Sequence, residues 1–179
     1  MATGGTQANG DSNALAISGD GRYVAFDSAA SNLVTGDTNN WEDVFVHDRQ
    51  TGKTERVSVG ASGVQATSWS NNPAVSGDGR YVAFDSNASN LVAGDNNYSK
   101  DVFVRDRQAG QTFRVSVDSN GTQGNTASFE PAISADGRYV AFYADAFNLV
   151  PGDTNDVRDV FLHDRGGPTY KAYVAAVMK

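Results

Sequence analysis

Three observations predict an all-β fold built from β-propeller blades of four antiparallel strands. One segment is written three times at a fixed spacing, each copy holds short alternating apolar runs set off by turn residues, and no stretch has a sustained helical period. SGDGRYVAFDS at Ser18 to Ser28 returns at Ser76 to Ser86, and again as SADGRYVAFYA at Ser134 to Ala144, a spacing of 58 both times (76 − 18 and 134 − 76). Asp43-Val44-Phe45-Val46, Asp101-Val102-Phe103-Val104 and Asp159-Val160-Phe161-Leu162 keep that spacing. Self-similarity at such a period predicts units that each bury a face against the next.

The second copy shows the elements in order. Pro73 to Ser76 is a short strand, and Gly77-Asp78-Gly79 supplies the positive φ of a tight hairpin. Arg80 to Phe84 alternates, with Val82 and Phe84 on one side and Tyr81 and Ala83 on the other. Asp101 to Arg105 is a third strand, Asp106 to Gly110 has turn chemistry, and Phe113 to Val117 is a fourth strand. Four short antiparallel strands per unit read as blades of a propeller. Blade 1 covers about 14–59, blade 2 about 72–117 and blade 3 about 130–175. Residues 166–179 depart from the pattern: Thr169 to Val174 is placed to form the last strand, while the Ala-rich end reads as helix, as cover for a blade face, or as an altered terminus.

The chain of 179 residues carries 14 Lys and Arg against 21 Asp and Glu, a net charge of −7. Its basic residues are scattered singly, which argues against nucleic acid, where phosphate contacts need a concentrated basic surface. No apolar run is long enough for a membrane helix, so membrane insertion is not expected, and the first residues do not read as a signal peptide. Without cysteine there is neither a disulfide framework nor a thiolate metal site.

The pattern S-x-D-G-R-Y-V-A-F, then D-V-F-V-x-D-R, then R-V-S-V resembles the TolB-like β-propeller repeat, from Ala14 to about Arg165. The resemblance implies blades of that type and an extracytoplasmic (periplasmic or secreted) setting. Related blades serve as protein-docking platforms and as substrate-filtering propellers beside peptidase domains. Fold alone does not select among these roles.

Closed propellers use about four to eight blades. Three blades in an arc leave one sheet face of the first and one of the third uncovered, and large bare apolar faces are interaction sites. Two copies are therefore expected to close a six-bladed ring as a homodimer, blade 1 of each against blade 3 of the other. A fragment of a longer propeller and a nine-bladed trimer are the alternatives. The N-terminal segment from Ala2 to Asn13 aligns with the connector Gly60 to Asn71, so the blades read as whole, with no spare strand to lock a ring from within.

The loop between second and third strands carries the densest polar pattern, Asp-x-Asn-x-x-x-Asp. It places Asp37, Asn39 and Asp43, then Asp95, Asn97 and Asp101, then Asp153, Asn155 and Asp159 at positions one, three and seven. Such oxygen spacing suits Ca²⁺. Position five lacks an acid or amide, position six lacks Gly, and Lys100 or Arg158 adjoins two of the loops; Asx turns and strand capping explain the same residues.

His47 and His163 are equivalent positions with Arg105 between them, which predicts solvent-facing side chains. Ser18, Ser76 and Ser134 precede each Asp-Gly as turn formers without a general base. No nucleophile elbow, zinc-protease or phosphate-loop motif is present. The chain is thus expected to be non-catalytic and to act as an interaction scaffold for another protein on its ring face or in its channel. A carbohydrate-binding propeller is the alternative, with Trp41, Tyr98, Trp69 and Phe129 in loop positions and Trp41 aligned with Tyr98 and then Val157. A propeller accessory to a hydrolase domain outside this chain is another.

Overall fold

The computed structural model describes residues 2–166 and the backbone of 171–174. Among the described residues, twelve strands form three separate four-stranded antiparallel sheets. Blade 1 holds β1 (Ser12–Ile17), β2 (Tyr23–Ser28), β3 (Asp43–Asp48) and β4 (Lys53–Arg56). Blade 2 holds β5 (Ser70–Val75), β6 (Tyr81–Ser86), β7 (Asp101–Asp106) and β8 (Gln111–Arg114). Blade 3 holds β9 (Ser128–Ile133), β10 (Tyr139–Ala144), β11 (Asp159–Asp164) and β12 (Lys171–Val174).

The first strand of blade 2 begins three residues before the expected Pro73, because a bulge between Asn71 and Ala74 lets pairing resume beyond the proline. The fourth strand is displaced to Gln111–Arg114, directly out of the turn. Val115 still donates its N–H to the Val102 carbonyl at 2.9 Å, so pairing persists past the strand end. Blade 3 departs at its last turn. Asp48 pairs with Lys53 but Asp164 pairs with Lys171, so two more residues separate the paired positions, and Val174 takes the register position of Arg56 and Arg114. The Ala-rich end lies outside the described residues.

The hairpin after each first strand is fixed by its side chains. Ser18 donates to Asp20 at 2.6 Å and accepts the Tyr23 N–H at 2.9 Å; Ser76, Asp78 and Tyr81 repeat this at 2.6 and 3.0 Å. The following arginine forms a two-pronged ion pair with the aspartate ending the third strand: Arg22 to Asp48 at 3.0 and 2.7 Å, Arg80 to Asp106 at 3.0 and 2.7 Å, Arg138 to Asp164 at 2.8 and 2.8 Å. The fork matches carboxylate geometry and ties the two hairpins of a blade together. The arginine holds Asp48 well below the usual carboxylate range.

Each blade is buried on both faces where it has a neighbour. Val82, Phe84 and Phe103 turn toward blade 1 and pack with Ala25, Val44, Val46 and Val57. Ala83, Val102, Val104 and Val115 turn the other way and pack with Val140, Phe142 and Phe161 of blade 3. The alternation expected of Arg80–Phe84 therefore sorts residues between two seams. Each seam is also bonded: the Gly19 N–H donates to the Gly77 carbonyl at 3.0 Å, and Gly77 to Ala135 at 2.8 Å.

The N-terminal segment repeats the geometry of the internal connector. Ala2 N–H reaches the Thr6 carbonyl at 2.8 Å as Gly60 reaches Val64, and Asn32 caps Asn9 as Asn90 caps Thr67 and Asn148 caps Asn125. Its Ala2 packs with Ala30, Leu33 and Phe45 over part of the outer face of blade 1. Among the described residues, no helix is long and apolar enough to cross a membrane.

Candidate functional site

The Asp-x-Asn-x-x-x-Asp loops are organised by an arginine from the fourth strand. Arg56 Nη1 lies 2.9 Å from Asp37 Oδ1 and 3.1 Å from Asp43 Oδ2. Arg114 Nη1 lies 3.1 Å from Asp95 and 3.4 Å from Asp101. In the first two loops a guanidinium therefore stands between positions one and seven, where a bound cation would have to lie. Burial pushes Asp43 and Asp101 up, and burial with the neighbouring Asp101 pushes Asp95 up to about 6.

The position-three asparagine bridges two blades. Asn39 Nδ2 donates to Asp43 at 2.8 Å and to the Ala66 carbonyl of the next connector at 3.1 Å; Asn97 repeats this to Asp101 at 3.0 Å and Gly124 at 2.9 Å. Asn155 donates to Asp159 at 3.0 Å. Gln65 reaches back to the first loop, accepting the Thr38 and Asn39 N–H groups at 3.1 Å and donating to the Gly36 carbonyl at 2.9 Å. The third loop lacks the arginine, with Val174 at its register position, and Asp153, Asn155 and Asp159 line an open cleft of about 210 Å³. Among the described residues, no three His, Cys, Asp or Glu side chains converge as a metal-ligand group.

The histidines differ from expectation. His47 faces Thr54, its Nδ1 2.9 Å from the hydroxyl, and is only half-buried. His163 is buried, 1% exposed, and desolvation lowers it to about 4. Its strand position points with Phe161 into the second seam, so burial follows from alternation and the expected solvent contact is wrong.

Three of the four aromatics expected in loops gather at the seams, and one of these, Phe129, lies within β9, while Tyr98 is 95% exposed. Trp41 and Trp69 meet edge to face, centroids 5.1 Å apart, and are 36% and 52% exposed. Phe129 lies under Lys100, 5.8 Å away, and under Arg158 at 4.6 Å. Tyr98 does not share the position of Trp41. It shares the left-handed backbone of Asn40 and Asp156, with φ of 54°, 59° and 53°, and Ser99 stands opposite Trp41.

No family model matches the chain, and no curated protein matches it. Solved structures do. A putative TolB from Agrobacterium tumefaciens is 18% identical with a TM-score of 0.53, over 90% of this chain and 48% of that one. The tricorn protease is 14% identical with a TM-score of 0.53, over 88% and 14%. A prolyl endopeptidase is 17% identical with a TM-score of 0.50, over 91% and 22%. The chain thus spans about half the length of the first and far less of the peptidases, and its fold is that of TolB-like β-propeller blades.

Proposed function

We propose that the chain is a non-catalytic interaction scaffold that closes a six-bladed ring with a second copy of itself and offers the ring face or channel to another protein. The observation that carries this reading is that its two end faces hold complementary halves of one repeated seam. In the internal seams, Tyr23 and Tyr81 lie against the turns at Gly79 and Gly137 and under Arg107 and Arg165 of the following blade, at 4.4 and 4.2 Å. Among the described residues, Tyr139 meets no following turn and arginine of this kind, and Gly21 with Arg49 meets no preceding tyrosine.

The apolar surface agrees. Val44 and Val102 are 0% exposed inside their seams, yet Val160 at the same position is 38% exposed; Leu15 and Ile17 on the opposite end are 78% and 56% exposed. A further detail favours joining these two ends. Asp27 and Asp85 each accept the N–H of a left-handed residue across the seam, Asn72 and Glu130. Where blade 3 substitutes Tyr143 for that aspartate, Ala14 takes the place of Asn72 without the left-handed backbone.

The scaffold reading places no reaction on the chain, and an extracytoplasmic setting belongs to the same proposal. The lectin reading is weaker because the Trp pair occurs at one seam and its rings meet edge to face. Light scattering during size exclusion tests the ring: a sharp dimer is expected. A stable monomer overturns closure by a second copy and points to further blades of a longer chain as the natural cover.

A further inference from the structure

The first and second seams differ in the charge that stands beside one repeated aspartate. In the second seam, Lys100 Nζ lies 3.0 Å from Asp85 Oδ1 and 5.8 Å from the centre of the Phe129 ring. The other oxygen of Asp85 accepts the Glu130 N–H at 3.0 Å. A buried carboxylate, a partly exposed ammonium and an aromatic ring thus form one unit. In the first seam, Asp27 stands at the position of Asp85, and its Oδ2 accepts the Asn72 N–H at 3.1 Å in the same way. Glu42 stands where Lys100 would be, 58 residues earlier.

Asp27 is 2% exposed, and its Oδ1, like that of Asp85, is buried without a hydrogen bond among the described residues; Asp85 has the Lys100 ion pair there, and Asp27 has no ion pair among those residues. By the repeat, that oxygen points to the place where Lys100 presents its ammonium. Glu42 is held at the seam by Asn13 and Asn71, whose Nδ2 groups donate at 3.1 and 2.8 Å. Its carbonyl accepts the Ser70 N–H at 2.9 Å, which brings Trp41 and Trp69, its chain neighbours and those of Ser70, to the same seam. Two carboxylates with one bare buried oxygen are costly unless a cation joins them.

We propose that the first seam binds a ligand bearing a primary ammonium group, inserted between Asp27 Oδ1 and Glu42 as Lys100 is in the second seam. The exposed indoles supply apolar surface for the alkyl stem and π-faces for the charge, which favours an organic ammonium over a bare metal ion. A lysine side chain of a docked protein and a free polyamine present the same group. This site is independent of how the ring closes.

The test is calorimetry with tryptophan fluorescence on the full chain, using Nα-acetyl-lysine amide, spermidine and calcium chloride as separate probes. Saturable binding of either amine, with a change in tryptophan emission, is expected; preference between the two identifies the source. Glu42→Lys rebuilds the second-seam arrangement from within, so it should raise the melting temperature and weaken amine binding about tenfold or more. Asp27→Asn should weaken it likewise. The proposal is overturned if neither amine saturates in the millimolar range, if calcium saturates the site and the amines do not, or if Glu42→Lys binds amine as the parent does.

Discussion

The ring of Tyr23 lies where a side chain on Gly79 would have to go: a Cβ built on that glycine would sit 2.0 Å from Tyr23 Cδ2. Gly79 also has a φ of 73°, the left-handed region that L side chains resist. Gly79→Ala therefore meets backbone strain and a displaced inter-blade tyrosine together. It should lose about 3 kcal/mol or more in urea unfolding. Gly36 has a similar φ of 78° with nothing near its notional Cβ, so Gly36→Ala should lose only about 1 kcal/mol. Equal losses would mean that the tyrosine contact adds nothing.

This pair shows what was legible in the sequence. The repeated Asp-Gly gave the turn and its glycine directly, since turn chemistry is local. The alternation of Val82, Ala83 and Phe84 gave the two buried faces. Other features needed contacts distant in the chain. Arg56 enters its loop from another strand, so the spacing of Asp37, Asn39 and Asp43 displayed oxygens while hiding the cation already among them. His163 looked replaceable because Arg105 shares its position, yet Arg105 reaches the Thr112 hydroxyl at 3.1 Å and His47 the Thr54 hydroxyl at 2.9 Å, whereas the longer last turn of blade 3 sets Ala172 opposite His163. The unpartnered oxygen of Asp27 emerges only by comparing seams in three dimensions.

Arg56 neutralises two carboxylates in a place where its side chain is 8% exposed, against 5% for Asp37 and 0% for Asp43. Removing one partner of such a buried cluster leaves uncompensated charge. Arg56→Ala should destabilise the fold by about 3–5 kcal/mol at neutral pH. Because Asp43, already pushed up by burial, regains neutrality by protonation, the deficit should shrink as pH falls. Urea melts of parent and variant at several pH values measure this; a deficit constant with pH would show that the arginine acts through packing alone.

His163 is neutral in the folded chain down to about 4, whereas an unfolded imidazole titrates near its ordinary 6.5. Its folded value is depressed, so between those limits the unfolded state binds more protons. The contribution is complete above 6.5 and is lost as pH falls toward 4, on the order of 3 kcal/mol in total. Asp95, raised to about 6, slopes the opposite way: its folded form favours the proton, and stability is lost as pH rises through 6. The parent alone would blur the two. The difference between parent and His163→Leu in denaturant unfolding should grow more favourable to the variant from pH 7.5 to pH 4.5, and a flat difference would place the imidazole in water.

Ring closure can be tested by charge exchange across the proposed joint. The equivalents of Ile17 and Val160 in the first internal seam are Val75 and Val44, which share one apolar core. In a single chain Ile17 and Val160 are exposed, so Ile17→Lys and Val160→Asp should each fold as the parent does. Each homodimer of a variant would bury an unpaired charge at both joints, weakening association by about a hundredfold or more. Mixed together, the two variants form a heterodimer with one unaltered joint and one joint holding Lys against Asp. Dimer should then reappear in light scattering of the mixture alone. If both variants dimerise as well as the parent, or if the mixture stays monomeric while the parent is dimeric, blade 1 does not rest on blade 3 of the partner.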